Sequence, residues 1–159
     1  MVVVLVAIIC ILSVILIITV RKIFIADKEI DISLLESKKF FYMFNVMNQW
    51  MQAQHAGKSI ERYLAENGYK NIAIYGMHFI GERLLEELTG SEVNVDFAID
   101  ENREMSNYNI KIYKPVDELP ETDLIVVTTA LYFYDIRKKL QEKTKCPIIS
   151  IEELVERMV

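Results

Sequence analysis

The chain has 159 residues, enough for one ordinary domain, and its low Gly and Pro content (5 and 3) with 52% hydrophobic residues excludes a disordered or collagen-like polypeptide. A net charge of −5 argues against general nucleic-acid binding, which needs a basic face. The two cysteines, Cys10 and Cys146, are too few for a disulfide framework or a zinc site.

Residues 1–20, MVVVLVAIICILSVILIITV, carry no charge and raise the mean hydropathy of the whole chain to +0.21. As a helix, 2–20 would span about 28 Å, close to the bilayer hydrocarbon thickness. A strand of that length could not satisfy its backbone in lipid. No basic residue precedes the run and no Ala-x-Ala site follows it, so the expectation is an uncleaved single-pass transmembrane anchor at 1–20 rather than a signal peptide. Arg21, Lys22, Lys28, Lys38 and Lys39 all lie on its C-terminal side. By the positive-inside rule that flank is cytoplasmic, which predicts a cell-membrane protein with a cytoplasmic C-terminal domain. A reducing compartment also suits an unpaired Cys146.

Residues 21–37 are mixed and charged, and read as a juxtamembrane linker or a helix extension. The connector, 38–68, is helical. Phe40, Met43, Phe44, Met47, Trp50 and Met51 recur at helical spacing, an amphipathic stripe suited to packing on the next domain or on a second copy of itself. A helix lying in the membrane interface is the other reading of that stripe, though its polar face holds amides rather than basic residues. His55 sits near the end of this helix, where it suits the helix dipole. Ser59 can cap a short helix that stops at Gly68, with Ile60, Tyr63 and Leu64 as its apolar face.

From 69 to 159 the pattern alternates. Apolar strands are predicted at NIAIYG (71–76), VNVDFAID (93–100), NIKIY (109–113), DLIVVTT (123–129) and CPIISI (146–151). Helices are predicted at 77–90 and 132–143, with a single turn at PVDEL (115–119) and a last turn or two in EELVERMV. The fourth strand is apolar at successive positions, as a strand buried on both faces is. Strand, helix, strand, short crossover, strand, helix, strand implies parallel pairing with right-handed crossovers. The expected fold is α/β, a small Rossmann-like parallel sheet of order 3-2-1-4-5.

Ligands of such sheets bind beyond the carboxyl ends of the strands, where the first and fourth strands diverge. The first turn there runs Gly76-Met77-His78-Phe79-Ile80-Gly81. Against G-x-G-x-x-G, Gly76 and Gly81 match the outer glycines and His78 replaces the middle one. The imidazole either points away, leaving the helix amino end free for a phosphate, or fills the site. Asp100, at the end of the second strand, stands where a ribose-binding carboxylate would. Thr128 and Thr129 end the fourth strand on the same rim, as ligand hydroxyls or as caps of the next helix. Tyr132, Phe133 and Tyr134 suit an aromatic wall or core packing. Three readings of the turn stay open: a purely structural bend, nucleotide or phosphate binding without hydride chemistry, and NAD binding in the usual pose.

These stretches (NQW, GKSIERYLAENGYKNIAIYGMHFIGERLLEEL, FAIDEN, ELPETDLIVVTTALYF and CPIISIEELVE) resemble small Rossmann-like domains associated with bacterial surface-polysaccharide biosynthesis proteins. In outline they are also similar to the nucleotide-binding modules of nucleotide-sugar epimerases, dehydratases and sugar acyltransferases. The resemblance implies a nucleotide, nucleotide-sugar or NAD(P) ligand near Gly76, Gly81 and Asp100, and the binding residues expected for it are Gly76, Met77, His78, Phe79, Gly81 and Asp100, with Thr128 on the neighbouring rim. It carries over no catalytic residue, because the Tyr-x-x-x-Lys pair of the epimerase-type enzymes has no counterpart: Tyr108 stands three residues before Lys111. Two alternatives accompany the nucleotide-binding expectation. One is a ligand-free interaction module that binds or dimerises through the 40–51 helix. The other is a small NAD-dependent or sugar-modifying enzyme that needs a partner chain to close its site.

Overall fold

The computed structural model describes residues 2–102 and 109–158, with only the backbone element described for 2–11 and Ala130. Tyr108 lies outside the described residues. The chain divides into two compact units, Met1–Phe40 and Phe41–Val159.

The first unit belongs to one helix. α1 runs Val2–His55 without a break, so the 21–37 segment is helical. It lacks the Gly and Pro residues that would stop it. Every described side chain from 12 to 40 is exposed, including Ile23, Phe24, Ile30 and Leu34. Among the described residues no helix is long and apolar enough to cross a membrane. The reason is one of extent. The uncharged stretch 12–20 covers about 14 Å before Arg21.

The second unit is a three-layer sandwich. α2 (Ile60–Glu66) follows the end of α1 and is capped by Ser59, whose hydroxyl accepts from the Arg62 N–H at 3.2 Å. Then come β1 (Asn71–Tyr75), α3 (Phe79–Leu88), β2 (Asn94–Ile99), β3 (Lys111–Tyr113), β4 (Leu124–Val127), α4 (Phe133–Gln141), β5 (Ile148–Ser150) and α5 (Ile151–Met158). The five strands form one parallel sheet in the order β3-β2-β1-β4-β5, as the alternation of elements predicts.

Alternate side chains of each central strand enter opposite layers. Ile72, Ile74, Leu124, Val126 and Ile149 face a core shared with Val46, Trp50, Ile60, Leu84 and Leu154. Ala73, Ile125, Val127 and Ile148 face a smaller core with Ile136 and Leu140 of α4. The segment 115–119, where at most one helical turn is expected, holds a single tight turn. The Asp117 N–H donates to the Lys114 carbonyl at 3.0 Å, and the Asp117 carboxylate accepts from the Lys114 N–H at 2.8 Å. Pro115 and Asp117 favour that local closure over helix continuation. Phe97 and Tyr113 meet edge to face at 5.3 Å near this side of the sheet.

Residues 38–68 are less separate from the sheet than the sequence suggests, because Val46, Trp50, Ala53, Ile60 and Leu64 are buried in the larger core. The stripe at 40–51 is split. Trp50 is buried and Met43 and Met47 pack partly against the core, whereas Phe40, Phe44 and Met51 remain exposed. Two faces of this helix are apolar, and the one carrying Val46, Trp50 and Ala53 is the one the sheet layer covers.

Candidate functional site

The turn between β1 and α3 lies where the sheet order reverses, since β1 is flanked by β2 on one side and β4 on the other. Gly76 ends β1 with φ +93°, a conformation that L side chains rarely adopt. A Cβ there would lie 2.6 Å from Thr129 Oγ1 and 2.9 Å from Thr128 Oγ1. Its N–H donates to the Ile99 carbonyl at 2.8 Å, extending the ladder with β2 by one bond. Gly81 is needed for a different reason. A Cβ at that position would sit 2.1 Å from the Gly76 carbonyl oxygen, so the first turn of α3 rests directly on the backbone of the bend.

The polar groups of the bend are engaged within the chain. The Met77 N–H donates to Asp100 Oδ2 at 2.8 Å, in a buried contact. Asp100 Oδ1 accepts from the Asn102 N–H at 2.9 Å, and the Asp100 N–H donates to the Tyr113 carbonyl at 2.9 Å. The carboxylate expected to face a ribose therefore ties the end of β2 to the first bend. Thr128 is also turned inward: its hydroxyl donates to the Gly76 carbonyl at 2.6 Å, with the Tyr75 carbonyl 3.0 Å away. It braces β4 against the bend and does not cap α4, whose N-cap position is Tyr132.

His78 occupies the N-cap of α3, makes no side-chain capping bond, and is exposed. Phe79, beside it, is 66% exposed, whereas Met77 is wholly buried. The Gly76–Gly81 turn thus brings His78 and Phe79 to the surface over α3's amino end, where aligned peptide dipoles favour an anion. The charge of the rim opposes that preference. Burial first, and then the Glu101 and Asp100 carboxylates, hold the Tyr75 phenol above its ordinary value. Of the three neighbouring aromatics, Phe133 packs toward the smaller core, while Tyr132 and Tyr134 are exposed.

Three features escape the sequence reading. Glu87 of α3 accepts three hydrogen bonds: from Trp50 Nε1 at 2.7 Å, Gln54 Nε2 at 2.8 Å and the Ile60 N–H at 2.8 Å. A buried indole N–H demands a partner, so the lone Trp50 signals that an acceptor exists without saying which one. Asp123 accepts from the Lys70 and Asn71 N–H groups at 2.9 and 2.8 Å, and these bonds hold its carboxyl below the usual value. An open cleft of about 730 Å³ lies at the amino ends of β1 and β4, lined by Asn71, Glu121, Asp123, Lys143 and Cys146. It sits at the opposite end of β1 from the glycine turn. Its Lys143 is committed, donating through Nζ to the Pro115 and Asp117 carbonyls. Among the described residues no group of three or more His, Cys, Asp or Glu could hold a metal ion.

No protein-family model, curated protein or solved structure matches this chain.

Proposed function

We propose that Phe41–Val159 binds a nucleotide or nucleotide-sugar at the Gly76–Gly81 turn, and that residues 2–20 tether it to the cytoplasmic face of the cell membrane. In this reading the chain is an accessory to surface-polysaccharide assembly, where tethering raises its local concentration beside membrane-bound enzymes. The observation that carries the reading is the position of the turn. A positive-φ glycine at the reversal of a 3-2-1-4-5 parallel sheet leads into α3, and His78 and Phe79 stand exposed above it. A phosphate would meet the amino end of α3. Asp100 would accept a ribose or sugar hydroxyl through the second lone pairs of its oxygens, since each already accepts one amide. The uncharged run at 2–20 and the basic flank from Arg21 support the tether and its orientation.

One observation favours a second reading, a ligand-free interaction module. The Met77 amide and the Thr128 hydroxyl are satisfied internally, so the bend needs no guest. Thermal unfolding of the full chain in detergent with NAD, UDP-sugars, CDP-sugars and GDP-sugars separates the two. A ligand present at a hundred times its dissociation constant adds about 2.7 kcal/mol. A melt unmoved by all of them abandons nucleotide binding in favour of the interaction module. Release of the chain from membranes by alkaline carbonate removes the tether.

A further inference from the structure

Phe41–Val159 is acidic, with nineteen Asp and Glu against thirteen Lys and Arg. One helix departs from that balance. From Leu131 to Lys145 there are five basic residues and two acidic ones. Among the described helices α4 alone packs on the smaller core, through Ile136 and Leu140. Its other sides are therefore the outer surface of that layer. Tyr134, Arg137, Lys138 and Gln141 recur at i, i+3, i+4 and i+7, which places them along one side of the helix. All four are exposed, Tyr134 by 82%. Leu131 and Tyr132, in the 3-10 turn before α4, are exposed by 42% each. Lys145 stands exposed just beyond the last residue of the helix. The two acids, Asp135 and Glu142, fall on another side, where Lys139 lies four residues from one and three from the other. The stripe itself holds no carboxylate.

We propose that this stripe docks on the anionic headgroups of a phospholipid bilayer, with Arg137, Lys138 and Lys145 facing the phosphates and Tyr134 settling at headgroup level. Each basic side chain near an anionic leaflet strengthens such a contact about fivefold. Tyrosine suits that depth, because its ring is apolar and its hydroxyl wet. An acidic protein is the less suitable partner. A specific protein interface covers about 800 Å² per partner, more than the outer side of one nine-residue helix presents, whereas headgroups attract by charge and need no matching shape. The dipole of α4 also favours Lys138 and Lys139 in its last turn, but it gives no reason for Leu131 and Tyr134 to stand exposed at the other end. A contact of this size is reversible and sensitive to salt. It belongs wholly to Phe41–Val159 and does not rest on nucleotide binding. The proposed tether would raise its local concentration at a bilayer, but the stripe is complete without it.

The test uses the full chain with Cys10→Ser and Cys146→Ser as background and an environment-sensitive dye on Gln141→Cys. The chain is reconstituted into phosphatidylcholine vesicles with or without phosphatidylglycerol. Phosphatidylglycerol should shift the dye emission to the blue, and about 0.5 M salt should reverse the shift by shortening the Debye length to about 4 Å. Arg137→Glu with Lys138→Glu should lower the ratio of docked to undocked chains at least tenfold while leaving the thermal melt in place. The same dye on Ala65→Cys, exposed on α2 in the opposite layer, should not respond. Equal emission in the two kinds of vesicle overturns the proposal, as does a shift that survives the double reversal or an equal response at 65. A blue shift with polyglutamate but not with phosphatidylglycerol also overturns it, and assigns the stripe to an acidic protein. Carbonate extraction reads the tether separately. A chain that carbonate releases, but whose dye still answers added phosphatidylglycerol vesicles, loses the tether and keeps the stripe.

Discussion

Residues 12–40 and 41–55 belong to the same helix and are similarly rich in large apolar side chains, yet only the second stretch buries any described side chain. In the first stretch every described side chain is exposed, Ile23, Phe24 and Leu34 included. In the second, Val46, Trp50 and Ala53 are almost wholly buried in the larger core. Apolar content alone thus does not decide burial on a helix. A facing layer does, and Phe41–Val159 supplies one through α2, α3 and the sheet.

Paired truncations give the sharpest contrast. Trp50→Ala should cost about 3–5 kcal/mol in unfolding of Phe41–Val159, through the cavity and the lost indole bond to Glu87. Ile32→Ala, at an exposed position of the first stretch, should change it by less than about 0.5 kcal/mol. Urea denaturation of the full chain in detergent, followed by circular dichroism, reads both, and equal effects would erase the distinction. Gly81→Ala comes next. Its methyl would meet the Gly76 carbonyl oxygen, so α3 must move away, at a cost of about 3 kcal/mol on the same assay. An unchanged midpoint would mean that the helix does not rest on the bend. Glu87→Ala leaves the Trp50 indole and the Ile60 amide without their acceptor, for a loss of about 2 kcal/mol. The fluorescence of Trp50, the only tryptophan, should shift to the red as water reaches the ring; an unshifted spectrum would count against the clamp.

The smallest effect is one of pH. The bonds from the Asn71 and then the Lys70 N–H groups hold the folded-state carboxyl of Asp123 below its unfolded value of 3.8. Its contribution is therefore complete above that value and disappears as pH falls through the lower folded one. Screening by solvent keeps it slight. Asp123→Asn should flatten the stability profile below about pH 4 and leave it unaltered near neutrality. Stability curves of the two chains that stay parallel across the acid range would deny the carboxylate this role.

The strands and their order were legible because a parallel sheet buries both faces, and runs such as LIVV betray themselves without periodicity. The turn was legible too, since Gly76 and Gly81 are each demanded by backbone geometry. The orientation of the stripe at 40–51 was not. Phe40 and Phe44 carry far more apolar surface than Val46 and Ala53, yet the smaller side chains are the ones buried against the neighbouring elements. Inward roles were equally hidden. A carboxylate at the end of β2 has the same sequence signature whether it faces a guest or, like Asp100, the chain's own amide. Glu87 gives no signal at all, because its three donors lie 27 to 37 residues earlier in the chain.

Glu87 also makes one carboxylate the pin between two rods. It grips the last turns of α1 through Trp50 and Gln54, while α3, the helix that bears it, presses its opening turn against Gly76. One helix thus joins the end of α1 to the strand-to-helix bend, with Glu87 near its last residue and Gly81 in its first turn.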